Sequence, residues 1–276
     1  MLTATFQLAP GLGAHLEREL WAAGITRWEH FPPPPALVLA TRPDGRIRAA
    51  LERASAALLA RDAEALAAML PRRERWRLYP TFEDEAAFLD VETDGVGEIA
   101  MVGVLDRRGP RLYLSGRDLH LFPEGVKDAK LLVTFNGLAF DVPRLVRAFP
   151  LWRPPRAHVD LRSLWGRLGQ TGGLKLVEAA AGVSRPAHLV RLTGRDAPGL
   201  WRRHCAGEAG ALGLLAEYNL YDAVNLKALM TRGYNRMLER YRLPGRAVPD
   251  FERGDVLYDL TKELLALEGA RATGGR

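Results

Sequence analysis

In the stretch FLDVETDG at residues 88–95, an apolar run ends in acidic residues. Alternate side chains of a strand face the same way, so Asp90 and Glu92 share one face. At an effective dielectric of ~20, two like charges ~4 Å apart cost on the order of 4 kcal/mol. A hard divalent cation with oxygen ligands offsets that cost. The stretch therefore predicts either a metal site or an exposed strand end with solvated acids.

Two further stretches place polar side chains beside apolar structure. The stretch LVTFNGLAFD at 132–141 predicts a buried strand, an Asn-Gly turn and Asp141 at a helix N-cap. Aspartate also favours that position for purely structural reasons. The stretch EYNLYDA at 217–223 lies inside a helical pattern, where Tyr218 and Asp222 are four residues apart and share one face.

The order of the apolar patterns indicates the fold class. Short apolar runs predict strands at 86–91, 97–105, 111–115 and 131–135, the first three forming a meander. Helical patterns follow at 141–149, 161–168, 174–181 and about 208–232. Strands first and then strand–helix alternation predict an α/β protein with a mixed sheet flanked by helices.

The chain divides into three predicted parts. We expect a small helical accessory domain at residues 1–75, interrupted at Pro32 to Pro35. The main domain is expected at residues 76–235, and a helical extension with a Gly/Arg tail at residues 236–276. The stretch LAPGLG at 8–13 resembles the hairpin of a helix–hairpin–helix element, whose amides bind backbone phosphate. The alternative is a packing or docking domain. The basic run at 72–77 either lines a nucleic-acid channel or is a solvated linker with one buried indole.

Composition narrows the class of protein. The net charge of +6 and the pI of about 9.7 favour polyanion partners, although an Arg-rich composition alone has the same effect. A single cysteine, Cys205, excludes an intramolecular disulfide and zinc–thiolate clusters. No apolar run reaches the ~18 residues of a membrane span, and no signal pattern is present at the N-terminus. We therefore expect a soluble, cytoplasmic protein without a membrane or disulfide partner.

Together the three polar stretches resemble the motifs of the DEDD superfamily of exonucleases. Asp-x-Glu-Thr on a strand, Asn-Gly-x-x-Phe-Asp after a second strand and Tyr-x-x-x-Asp on a late helix occur in the family's order. The tyrosine is that of the DEDDy subclass. Over about 80–230 the chain resembles still more closely the YprB-like predicted exonucleases, including WRLYP at 76–80 and GLKLVE at 173–178. The resemblance implies an RNase H-like fold.

In mechanistic terms the resemblance implies a two-metal-ion nuclease. The four acids would hold two divalent cations, Mg²⁺ or Mn²⁺. Asp90 would bridge both ions, Glu92 and Asp222 would each support one, and Asp141 would act partly through water. Tyr218 would orient the attacking water, because an unperturbed tyrosine pKa of ~10 makes it a poor base at neutral pH.

Several further residues are candidates for substrate contact. Asn136 and Phe140 resemble family positions that contact the terminal nucleotide, and Thr93 could touch the 3′ end. Lys175 is either a phosphate contact or a solvated lysine, and Asp160 could orient a ligand or a water. The expected activity is 3′→5′ hydrolysis of single-stranded DNA or RNA. The alternatives are a binding module with a vestigial site and a structure-specific endonuclease.

Overall fold

A mixed five-stranded sheet forms the centre of the computed structural model, which describes residues 2–31, 44–251, 258–265 and 267. Its strands are β1 (Ala86–Thr93), β2 (Ile99–Asp106), β3 (Gly109–Leu114), β4 (Leu131–Thr134) and β5 (His158–Asp160). Their order is β3-β2-β1-β4-β5, with β1 to β3 an antiparallel meander and β4 and β5 parallel to β1. The predicted α/β class with a mixed sheet is confirmed.

Helices cover the sheet and connect its strands. Among the described residues the α-helices are α1 (Ala14–Ala22), α2 (Asp44–Leu59), α3 (Ala63–Met69), α4 (Tyr79–Phe82), α5 (Phe122–Gly125), α6 (Asp141–Ala148), α7 (Leu161–Arg167), α8 (Leu174–Ala181), α9 (Ala187–Val190), α10 (Ala197–Cys205) and α11 (Ala211–Tyr241). Short 3₁₀ helices occur at Leu2–Ala4, Trp28–His30, Arg72–Leu78, Glu83–Glu85 and Leu119–Leu121. Residues 261–265 are also helical.

The long helix α11 lies against β1 and β2. It continues past the predicted end at about 232, because Tyr234 and Met237 extend its buried face beyond the buried polar pair Thr231 and Arg232. It ends at Tyr241, and the next residue, Arg242, adopts a left-handed conformation. This helix carries the third polar stretch across the face of the sheet.

The N-terminal segment shares one hydrophobic core with the sheet. Phe6 and Leu20 belong to the same buried cluster as Phe88 of β1. Buried Glu17 accepts hydrogen bonds from the Phe6 N–H (2.7 Å) and from Arg77 Nη1 (2.9 Å). The predicted boundary after residue 75 therefore falls within a 3₁₀ helix whose side chains enter a continuous core.

The basic run at 72–77 is structured, not an irregular linker. It forms the 3₁₀ helix Arg72–Leu78, in which Arg72 and Arg73 are exposed while Glu74 and Trp76 are buried. The predicted break at Pro32 to Pro35 and the Gly/Arg tail lie outside the described residues. Within the described residues, no helix combines the length and the apolar character that crossing a bilayer requires.

Candidate active site

The site lies where β1 extends beyond its neighbour β4. Pairing between β1 and β4 covers Ala86 to Phe88 only, whereas pairing with β2 continues to Thr93. The N–H of Val91 is therefore left without a strand partner on the β4 side, and Asp141 Oδ1 accepts it at 3.0 Å. A buried backbone donor needs such a partner, so this bond fixes Asp141 beside the acidic end of β1.

Three carboxylates converge at this end of β1. One oxygen each of Asp90, Glu92 and Asp222 lies within 4.8 Å of the others. Glu92 and Asp222 are buried and Asp90 is half-buried. Removal from water raises the pKa of Asp90 and of Glu92 well above the ordinary range, and the Asp222 charge raises both further. Converging carboxylate oxygens that repel one another are the donor set that a hard divalent cation prefers, so these residues fit such an ion.

Asp141 stands next to this group and outside it. The predicted N-cap position is wrong by one residue: α6 begins at Asp141, and Phe140 is the N-cap. The carboxylate faces β1 instead of the first turn of its own helix. Burial raises the pKa of Asp141 to about 7, even though the Val91 N–H favours the charged form. Its charge also raises the pKa of Asp90, so the two acids are electrostatically linked.

An asparagine and a glycine hold Asp90 in place. Asn219 Nδ2 of α11 donates to Asp90 Oδ2 at 2.7 Å and to the Asp90 carbonyl at 3.2 Å. Gly103 pairs with Asp90 across β2, and a Cβ there would lie 2.4 Å from Asn219 Oδ1. Sequence reasoning missed both roles, although a glycine inside an otherwise apolar strand is a recognised sign of close backbone approach.

A buried arginine balances the carboxylate of α11. Arg185 Nη2 lies 2.8 Å from Asp222 Oδ1 and 2.5 Å from Glu178 Oε1, and all three side chains are at least nine-tenths buried. Glu178 also accepts from Asn225 Nδ2 at 2.9 Å. Burial raises the pKa of Asp222, and the Arg185 charge opposes that rise. The sequence offered no signal for Arg185, because it lies in the connection between α8 and α9, away from any motif.

Tyr218 lies one turn before Asp222 on α11, and the two side chains influence each other's pKa. Burial first, and the Asp222 charge second, raise the pKa of the Tyr218 hydroxyl above its ordinary value. Lys175 Nζ lies 5.2 Å from the centre of the Tyr218 ring. The ammonium also donates hydrogen bonds to the carbonyls of Leu189 (2.7 Å) and Val190 (3.1 Å). The Lys175 ammonium is therefore already hydrogen-bonded to backbone carbonyls at the end of α9.

Two predicted substrate contacts lie near the acids. Thr93 is the last residue of β1 and is half-buried. Phe140 immediately precedes Asp141, and the Arg144 guanidinium stacks over its ring at 3.6 Å from the ring centre. Phe140 belongs to none of the hydrophobic core clusters among the described residues.

Asn136 performs a turn role in the loop before Asp141. It has a left-handed φ of 65°, and its N–H donates to Asp160 Oδ1 at 2.9 Å. Its side-chain oxygen accepts from Arg162 Nη1 at 2.9 Å. Asp160 Oδ2 accepts from the N–H of Leu138 at 3.2 Å, so Asp160 orders this loop.

Comparison with known proteins gives a family match that covers these elements. Residues 87–234, more than half of the chain, match the RNase H superfamily model. No curated protein and no solved structure matches the chain. The matched range begins in β1, ends in α11 and includes Asp90, Glu92, Asp141 and Asp222.

Proposed function

The chain belongs to the RNase H superfamily, and on this basis we propose that it is a metal-dependent 3′→5′ exonuclease that hydrolyses single-stranded DNA or RNA. The observation that carries the proposal is the convergence of Asp90, Glu92 and Asp222 within 4.8 Å. Mg²⁺ or Mn²⁺ held by these acids and Asp141 would lower the pKa of an attacking water and would stabilise the negative charge that develops on the leaving oxygen.

The protein's own contribution is to hold the acids in a fixed arrangement. Asn219 restrains one oxygen of Asp90 through a hydrogen bond. Arg185 and Tyr218 together restrain Asp222. Side chains that are fixed before substrate binds need no reorganisation during the reaction, which is the main source of electrostatic catalysis.

Tyr218 acts by orientation in this proposal. Its raised pKa keeps the hydroxyl protonated at neutral pH, so it can donate a hydrogen bond to Asp222 and accept one from a water. A neutral phenol in this place aims a water at the phosphorus without removing its proton.

The 3′→5′ direction rests on the resemblance of the three polar stretches to the DEDDy exonucleases. The exposed part of the Phe140 ring, braced by Arg144, offers a stacking surface for a terminal base next to Asp141. Stacking tolerates any base, and this agrees with hydrolysis that is independent of sequence.

The test uses oligonucleotides labelled at the 5′ or the 3′ end, as DNA and as RNA, with Mg²⁺ or Mn²⁺. We expect 5′-labelled strands to shorten stepwise from the 3′ end, and Asp90→Asn to abolish the ladder. Asp94→Asn is the matched control, because the Asp94 carboxylate accepts three backbone N–H groups of its own turn and lies outside the cluster. Binding without metal-dependent cleavage would instead establish a vestigial site, and internal cuts would establish an endonuclease.

A further inference from the structure

A basic cavity of about 220 Å³ lies on the far side of the loop that precedes Asp141. Its wall includes Arg72, Arg75, Arg167, His158 and Leu138. The three arginines belong neither to the carboxylate cluster nor to the stretches that resemble the family motifs. The cavity is therefore separate from the proposed catalytic centre.

Arg72 and Arg75 project to the same side because they are three residues apart in a 3₁₀ helix, where side chains at i and i+3 eclipse one another. Among the described residues, neither arginine forms an ion pair with an acid, and Arg75 Nε bonds only the Ala67 carbonyl at 3.2 Å. Burial lowers the pKa of Arg75, and the charges of Arg72 and Arg156 lower it further. The charge of Glu64 opposes this lowering, but Glu64 is itself bound to Arg156, so Arg72 and Arg75 lie together without a direct ion pair.

Asp160, the acid on the cavity wall, keeps its charge but forms no ion pair with Arg72 or Arg75 among the described residues. Asp160 Oδ1 accepts from the N–H groups of Asn136 (2.9 Å) and Arg162 (3.0 Å), and Oδ2 accepts from the Leu138 N–H. The bonds from Asn136 and Leu138 order the loop next to the cavity, and the bond from Arg162 caps the N-terminus of α7. Asp160 is therefore committed to the loop and is not paired with Arg72 or Arg75.

The floor of the cavity is neutral at physiological pH. His158 Nε2 is hydrogen-bonded to Thr134 Oγ1 at 2.8 Å, and burial lowers the pKa of His158 to about 4. The positive charge of the cavity therefore comes from its arginines. A cavity of this size with two forked guanidinium groups suits a phosphate group, which arginine binds in a bidentate manner.

One loop connects this cavity to the candidate active site. Leu138 lines the cavity, and Asp141 begins three residues later and bonds to β1. A strand held at the carboxylates would cross this loop to reach the cavity. We propose that Arg72 and Arg75 bind a backbone phosphate of the substrate strand, upstream of the bond that is cleaved. This inference rests on the proposed nuclease function.

The test compares two double variants that remove equal charge. R72Q/R75Q changes the cavity, and R107Q/R108Q changes an exposed pair at the opposite end of the sheet, where β2 turns into β3. For a long single-stranded substrate we expect R72Q/R75Q to raise KM about tenfold with kcat unchanged, and to reduce the slope of log KM against log salt by about 0.7, the value for one phosphate contact on a single strand. A dinucleotide, which has no phosphate upstream of the bond that is cleaved, should be cleaved equally well by the wild type and both double variants.

Binding is measured as well, by the fluorescence anisotropy of a labelled oligonucleotide without divalent metal, so that the result does not depend on cleavage. R72K/R75K, which restores the charge but not the guanidinium fork, should recover only part of the affinity that R72Q/R75Q loses. The proposal is overturned if R72Q/R75Q and R107Q/R108Q have equal KM and equal affinity, because only net charge would then matter. If the wild-type chain binds through the cavity but cleaves nothing, the nuclease proposal fails and the phosphate site stands.

Discussion

Replacing Arg185 by glutamine tests how the protein holds Asp222. The guanidinium is 5% exposed and lies between Glu178 and Asp222. At an effective dielectric of ~20 and a charge separation of ~4 Å, each ion pair is worth about 4 kcal/mol. Removing one partner of a buried pair costs on the order of 3–5 kcal/mol, because a buried charge is left uncompensated. We expect R185Q to lose that much stability in urea unfolding.

A second buried arginine serves as the matched control. Arg77 is 4% exposed and lies between Glu17 and Glu74, in the same kind of triad but at the junction with the N-terminal segment. R77Q should lose similar stability without any change in kcat, measured on oligonucleotides at a temperature where both variants are folded. R185Q should lower kcat as well, because Asp222 is no longer fixed.

The Glu178→Gln variant completes a double-mutant cycle with R185Q. Once the arginine is gone, neutralising Glu178 removes one of the two uncompensated charges. The double variant should therefore lose less stability than the sum of the single variants, by on the order of 2 kcal/mol. Additive losses, or equal kcat for R185Q and R77Q, would refute the positioning role of Arg185.

Three further outcomes follow from the site geometry. Gly103→Ala forces a methyl group against α11, so we expect it to lower the free energy of unfolding by about 1–3 kcal/mol and to remove most of the activity. Gly213→Ala adds a methyl group where there is open space, so it should leave the activity unchanged in the same assays. Tyr218→Phe should lower kcat about 100-fold with unchanged metal affinity, whereas Tyr221→Phe, which loses only a bond to a backbone carbonyl, should not. Burial raises the pKa of Asp141 to about 7, so the folded metal-free chain holds a proton that the unfolded chain has lost. The free energy of unfolding should therefore fall as the pH rises from 4 to 7. It should fall by less in Asp141→Asn, as measured by chemical denaturation.

Much of the fold was predictable because its local patterns agree with its tertiary structure. The strands of the meander are short apolar runs bounded by turns, and they occur where predicted, at β1, β2 and β3. The helices at 141–148, 161–167 and 174–181 differ from their predicted ranges by at most one residue. Period and turn chemistry are local properties, so a single sequence reveals them.

The contacts that support the acids were not predictable, because they join residues far apart in the chain. Asn219 reaches Asp90 only because α11 crosses β1 and β2, and Arg185 reaches Asp222 from a connection with no regular pattern. The predicted N-cap of α6 was wrong by one residue, because the Asp141 carboxylate accepts the Val91 N–H instead of capping its own helix. Non-local hydrogen bonds of this kind depend on tertiary packing.

The most direct test of the metal centre is anomalous diffraction from crystals soaked in Mn²⁺. We predict two anomalous peaks about 3.5–4 Å apart at the end of β1, with Asp90 between them and Glu92 and Asp222 each beside one. The absence of any peak within reach of these three carboxylates, in crystals of protein that binds Mn²⁺ in solution, would contradict the assignment of this cluster as the metal centre.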